Sequence, residues 1–176
     1  MKGFNEILGM FSFLFVLALM VFTLNIAAYK AASDKLEDAL AASGLAASLV
    51  DIRQYGTDHS IVISDAENAF EKYGETLSVN LGLNEGGHAG SGLIEGDVNI
   101  VDFRIYNVRG DTVSEIKVSD AGITDLGVKP LGEMRAPNGQ IIELTGIYSE
   151  ISFLLNHRYG RGIIARKSKL TSIDTV

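Results

Sequence analysis

The chain of 176 residues contains no cysteine, which excludes disulfides, thiolate nucleophiles and Cys-ligated zinc, iron–sulfur or c-type haem sites. Basic residues are scarce beside acidic ones: 15 Lys and Arg against 22 Asp and Glu leave a net charge of −7. That is the wrong sign for holding the anionic backbone of DNA or RNA, so no nucleic-acid partner is expected. Catalytic signatures are also missing. There is no G-x-S-x-G elbow, no Walker loop and no G-x-G-x-x-G after a strand. His59, His88 and His157 are scattered without metal-ligand spacing. Asp58-His59-Ser60 sets triad residue types side by side in sequence, which is not how triads form. Asp97-Val98-Asn99 opens like a calcium loop and lacks its continuation. Neighbouring carboxylates such as Glu37 and Asp38 fall on a helix surface with nothing to perturb them. These absences predict a chain that is not an enzyme, with no cofactor, no metal and no small-molecule substrate.

What the chain has is apolarity concentrated at one end. Ile7 to Ala28 is a run of 22 residues without a charge, with Asn25 as its one strongly polar side chain. A bilayer core of about 30 Å needs about 20 helical residues, so this run is long enough to span. A cleaved signal peptide is the rival reading, but its apolar region is typically about 7–15 residues, Glu6 sits beside Lys2 in the leader, and no A-x-A site follows. An anchor with membrane lipid as its surroundings is therefore expected. Orientation is not decided by charge, because Lys2 and the terminal amine on one side compete with Lys30, Lys35 and Arg53 on the other.

No helix breaker separates Ala28 from the residues that follow. Ala28, Ala32, Leu36, Leu40, Ser43, Ala47 and Val50 recur at three-to-four spacing, while Lys30, Asp34, Lys35, Glu37 and Asp38 mostly lie off that stripe. The expectation is one continuous helix to about Ile52, close to 70 Å from Ile7 at about 1.5 Å per residue. Small residues four apart, Ala27/Ala31, Ala28/Ala32, Ser43/Ala47 and Gly44/Ser48, allow a neighbouring backbone to approach closely. The same stripe also suits packing on the chain's own C-terminal sheet, and both readings stay open on different faces.

The organisation expected is a leader over 1–6, a transmembrane helix over 7–28, an amphipathic continuation over 29–53 and a head over 54–176. Within the head, Ser64-Asp65-Ala66-Glu67 fits a capping box opening a helix over about 65–81, stopped by Gly82. Its acidic stripe Glu67, Glu71, Glu75 reads as a solvated face. The glycine-rich stretch 84–96 reads as a linker or mobile loop. A strand follows from Asp97 with a bulge near Ile100, then a Gly110-Asp111 turn and a strand over Thr112–Ser119. Arg109-Gly110-Asp111 is also an adhesion tripeptide, but a tight turn between strands accounts for it. Asp120–Gly139 carries both prolines and is irregular, with a short strand around Gly127–Leu131. Ile141–Leu144 and Ile147–Leu155 follow as strands around Gly146, and 162–176 is a basic edge strand bearing Arg166, Lys167 and Lys169. The fold class is α+β: a long N-terminal helix, a second short helix and a mostly antiparallel sheet.

A hydrophobic helix that runs unbroken into an Ala-rich amphipathic helix, followed by a modest β head, resembles type IV pilins and the pilin-like proteins of tight-adherence (Tad) systems. The resemblance is architectural and covers residues 1–55. It implies processing by a prepilin peptidase at a junction such as Gly3-Phe4, although the leader before that glycine holds only Lys2. It also implies a glutamate that compensates a neighbour's N-terminal amine. Glu6 would take that role, third from Phe4 where the family has it fifth, which fits a minor pseudopilin or a related single-pass protein of a secretion system better than a major pilin. The partners implied are other copies of the chain or related pilin-like subunits, packed through Ala27, Ala28, Ala31, Ala32, Leu36, Leu40, Ser43, Gly44, Ala47 and Val50. The resemblance further implies a head outside the cytoplasm or an extracellular filament after assembly. The alternative is a single-pass anchored accessory or binding protein with an extracytoplasmic β domain.

Overall fold

The computed structural model describes residues 2–48, 61–90, 94–155 and 162–173. It contains α1 (Lys2–Ala47), α2 (Ala66–Leu81) and strands β1 (His88–Ala89), β2 (Ile94–Arg109), β3 (Thr112–Ser119), β4 (Gly122–Pro130), β5 (Gly146–Leu155) and β6 (Ile163–Ser172). The α+β class expected from the sequence is what the chain adopts. Two compact units divide it, Met1–Asp34 and Lys35–Val176. The boundary thus falls inside α1, whereas the sequence placed it after residue 53. The reason is that Leu36, Ala39, Leu40 and Ala47 belong to the core of the second unit. Residues 49–53, including Val50, lie outside the described residues.

In the second unit the sheet runs in the order β4-β3-β2-β5-β6, all neighbours antiparallel, with β1 also on β2. The last turns of α1 and the buried stripe of α2, Ala66, Ala69, Tyr73, Leu77 and Leu81, cover one face of it. They meet Phe103, Ile105, Ile147, Ile151 and Phe153, which alternate along β2 and β5 as a half-buried strand requires. The opposite face has a smaller core in which Tyr106, Val113 and Tyr148 are covered by Met134, Ala136 and Ile142 of the 131–145 segment.

Local chemistry explains the element ends. Asp65, not Ser64, caps α2 by accepting from the Asn68 N–H at 3.0 Å. Gly82 closes the helix at φ 67°, a left-handed conformation that favours glycine. Residues 61–63 are not a strand: Asn107 on β2 takes the place of a ladder by accepting from Ile63 N at 2.8 Å and donating to Ile63 O at 3.1 Å. The glycine-rich stretch is not simply a linker, since His88↔Asp97 and Ala89↔Gly96 pair as a short hairpin and His88 Nδ1 contacts the Asp97 carboxylate. The bulge expected near Ile100 is present as a register shift between Ile100 and Asp102. β4 is longer than expected, nine residues from Gly122 to Pro130, because it pairs with β3 along its length. Ile141 makes only an isolated bridge with Arg135, so Ile141–Leu144 is not a strand.

β6 is an edge strand of the sheet, as expected, and its basic side chains meet carboxylates of the same head. Lys169 Nζ lies 2.7 Å and Lys167 Nζ 3.3 Å from the Glu37 carboxylate on α1, and Arg166 Nη1 lies 3.2 Å from Glu150. Lys169, and secondarily Lys167, hold the Glu37 carboxyl below the usual glutamate range. A depressed carboxyl pKa contributes stability that is present above the ordinary value, about 4.3, and is lost as pH falls through the lowered folded value. Glu37→Gln should therefore flatten the acid limb of the stability–pH curve below about pH 5 and leave neutral-pH behaviour dominated by the core. Urea midpoints measured across that range check this, and an unaltered acid limb would count against the Glu37 clamp.

Candidate functional site

Three places on the molecule can bear function. The first is the surface of α1 over the first unit. Its described side chains from Gly3 to Leu24 are exposed, Phe4 at 70% and Phe15 at 65% among them. This is the described helix that is long and apolar enough to cross a membrane. An exposed apolar surface of this extent is unfavourable in water, and lipid or other helices would cover it. The helix already includes Lys2, so residues 2–6 of the leader expected over 1–6 are helical. Glu6, Gly3 and Phe4 are exposed on it, and no atom lies within 4 Å of where a Gly3 Cβ would stand. Thr23 satisfies its hydroxyl by donating to Leu19 O at 2.8 Å, the i−4 back-bond open to a threonine inside a helix.

One feature of this surface was missed in the sequence although the signal is there. Phe4, Phe11, Phe15 and Phe22 are spaced seven, four and seven apart, so on an α-helix they fall within about 20° of a single line. They form an aromatic ridge along the exposed helix.

The small-residue stripe divides. Ala27, Ala28 and Ala31 are exposed and Ala32 is partly buried, whereas Leu36, Leu40, Ser43, Gly44 and Ala47 are buried within the second unit. Gly44 is needed there: a Cβ would stand 2.6 Å from Thr171 Oγ1 and 2.8 Å from Thr171 Cβ on β6. The buried Ser43 hydroxyl is satisfied internally by donating to Ala39 O at 2.6 Å. Close backbone approach is thus used by these residues within the chain, as the own-sheet reading of the stripe requires.

The second place is a charged lattice on the sheet face away from the helices. Arg104 Nε donates to Asp102 Oδ2 at 2.7 Å and Nη1 to Glu115 Oε1 at 2.8 Å. Lys117 Nζ stands 3.1 Å from Asp102 Oδ1. Tyr106 donates to Glu115 at 3.0 Å, and Tyr148 to Glu150 at 3.2 Å. Burial opposes the Arg104 cation, but the hydrogen bonds to Glu115 and Asp102 outweigh it and hold the guanidinium above its ordinary pKa. Burial, reinforced by the Glu115 charge, pushes the Tyr106 phenol up. With each carboxylate engaged by a cation and neither phenol near ionisation, the lattice offers no poised base and reads as structural.

The third place is a cavity of about 230 Å³ beside the β2 bulge, lined by Phe70, Val98, Ile100 and Val118 with Asn99 and Asp120. It is smaller than the roughly 300–1,000 Å³ of most ligand sites. Among the described residues no three His, Asp or Glu side chains converge as metal ligands. His59 and His157 lie outside the described residues. Glu67, Glu71 and Glu75 are exposed on α2, with Glu75 accepting from Lys72 at 2.7 Å. No protein-family model, curated protein or solved structure matches this chain.

Proposed function

We propose that the chain is a pilin-like structural subunit, anchored by α1 with its head outside the cytoplasm, and assembled with copies of itself or related subunits by packing these helices together. The observation that carries this reading is the contrast along one 46-residue helix: an all-round apolar surface in its first half, and a second half consumed by the head's own core. A span needs only an apolar exterior, whereas the ridge of Phe4, Phe11, Phe15 and Phe22 gives one side of it a shape that a neighbouring helix can engage. Its role is scaffolding rather than catalysis. The intact mass of the polypeptide in a sheared surface fraction, compared with that in membranes, tests the proposal. A surface species shortened at Gly3-Phe4 is the expected result, and a full-length species confined to membranes would overturn it.

Glu6 is the acid that an apolar assembly must neutralise, and an amine from a neighbouring subunit is its simplest partner. Glu6→Ala is expected to leave membrane insertion intact and to lower the yield of surface assemblies several-fold; an unchanged yield would remove Glu6 from assembly. The second reading, an anchored accessory protein, draws on the burial of Leu36, Leu40, Ser43 and Ala47 in the chain's own head, which leaves less helix surface for neighbours. It predicts the membrane-confined, full-length species.

A further inference from the structure

Among the described residues the sheet ends in two edge strands, β4 and β6, and they differ. Among the described residues no strand pairs on the outer side of β4 or of β6. The two strands are of nearly equal length, nine and ten residues, and both run antiparallel to a neighbour in a ladder that leaves them pointing the same way. Residues 120–133, which hold β4, carry Asp120, Asp125 and Glu133 against Lys129 alone. β6 carries Arg166, Lys167 and Lys169 and no acid. Arg166 faces Glu150 and both lysines face Glu37, so the basic side chains of β6 stand on an edge that carries no acid of its own. Apolar side chains stand exposed on both: Ile123 and Val128 on β4, Ile163 and Ile164 on β6.

We infer that the β4 edge of one head receives the β6 edge of a second copy, in parallel, so that the sheet continues from subunit to subunit. The register supports this. One row of paired residues crosses the sheet as Gly127, Glu115, Tyr106, Gly146 and Ser172. A copy set level carries that row from Ser172 of one head to Gly127 of the next, and sets Asp125 level with Thr171, two residues along the same strand face from Lys169. Pairing β6 with β6 would instead oppose two basic strands, which like charges disfavour. A contact between two different edges is heterologous and does not close on itself, which is what an extended assembly requires. Lys129, Pro130 and the bulge opposite Glu115 and Ile116 guard β4 against indiscriminate strand addition. The inference rests on the head alone and extends the filament reading without depending on how the helices pack.

The absence of native cysteine makes the test clean. Full-length Val128→Cys and Ser172→Cys variants are made separately and together in membranes, then treated with a short bis-maleimide. Cross-linked dimer is expected from the mixture, not from either variant alone, and several-fold less at high salt, where surface charges are screened. Val79→Cys on the exposed side of α2, mixed with Ser172→Cys, is the control that stays monomeric. Linkage of Val128→Cys with itself, or no linkage in the mixture, would overturn the edge pairing. Cysteine at Phe11 reports helix contact separately: its cross-linking without the edge product would sink this inference and leave the helix-bundle reading standing.

Discussion

Arginine at both Leu14 and Leu17 is expected to release the chain from the membrane. The two leucines sit at the middle of the 7–28 run, exposed at 49% and 48%, so neither is held by any contact that a substitution would break. Each arginine at a span centre costs about 2.5–3.5 kcal/mol on insertion scales, so the pair costs about 5–7 kcal/mol. That cancels the drive for insertion, since the eleven remaining Leu, Ile, Phe and Val residues of the run contribute about −0.3 to −0.6 kcal/mol each, about −3 to −7 kcal/mol together. The measurement is resistance to alkaline extraction: the natural chain and a Leu14→Ala, Leu17→Ala control should stay with the membrane while the arginine pair partitions into the supernatant. No residue between Ile7 and Ala28 belongs to the head's cores, so the released chain should retain the head's fold. An arginine pair that still pellets would mean that α1 is not the anchor, and the functional proposal would fall with it.

The elements that local patterning specifies were legible. The three-to-four spacing of Ala66, Ala69, Tyr73 and Leu77 located α2, Gly82 marked its end, and the Gly110-Asp111 turn with alternation on either side located β2 and β3. What sequence could not carry was the choice between equivalent local options and the pairing of distant segments. Ser64 and Asp65 are both good caps, and only the geometry of entry selects Asp65. β4 is exposed on nearly every residue, so it has no apolar alternation to betray it, and it exists because β3 offers it a ladder. Asn107 holds Ile63 from 44 residues away, a bond invisible to any window of sequence. The helix stripe shows the same limit at the candidate site. Small residues at i and i+4 announce close approach without saying to what, and Thr171 is the partner that Gly44 meets.

Replacing Phe103 by alanine is expected to be the most damaging single truncation in the head, at about 3–5 kcal/mol. Phe103 is fully buried at the centre of β2 and packs edge-on to Phe70, with ring centroids 5.3 Å apart, and against Tyr73 at 5.0 Å. It is thus the side chain through which α2 grips the sheet. The cavity its loss creates could not collapse easily, because Ser149, its partner across the ladder on β5, and Tyr73 above it are both fixed in the same buried layer. Burial already pushes the Tyr73 phenol upward, with the Ser149 hydroxyl acting against the shift, so water entering a void at Phe103 would find polar groups to solvate and would favour the opened state. Urea unfolding of the full chain in detergent should show a lower midpoint with an unchanged slope. Val79→Ala on the exposed side of the same helix should stay within about 0.5 kcal/mol. A Phe103→Ala loss below about 1 kcal/mol, well under the core range, would mean that α2 is held by its other buried residues and that the aromatic cluster does not anchor it.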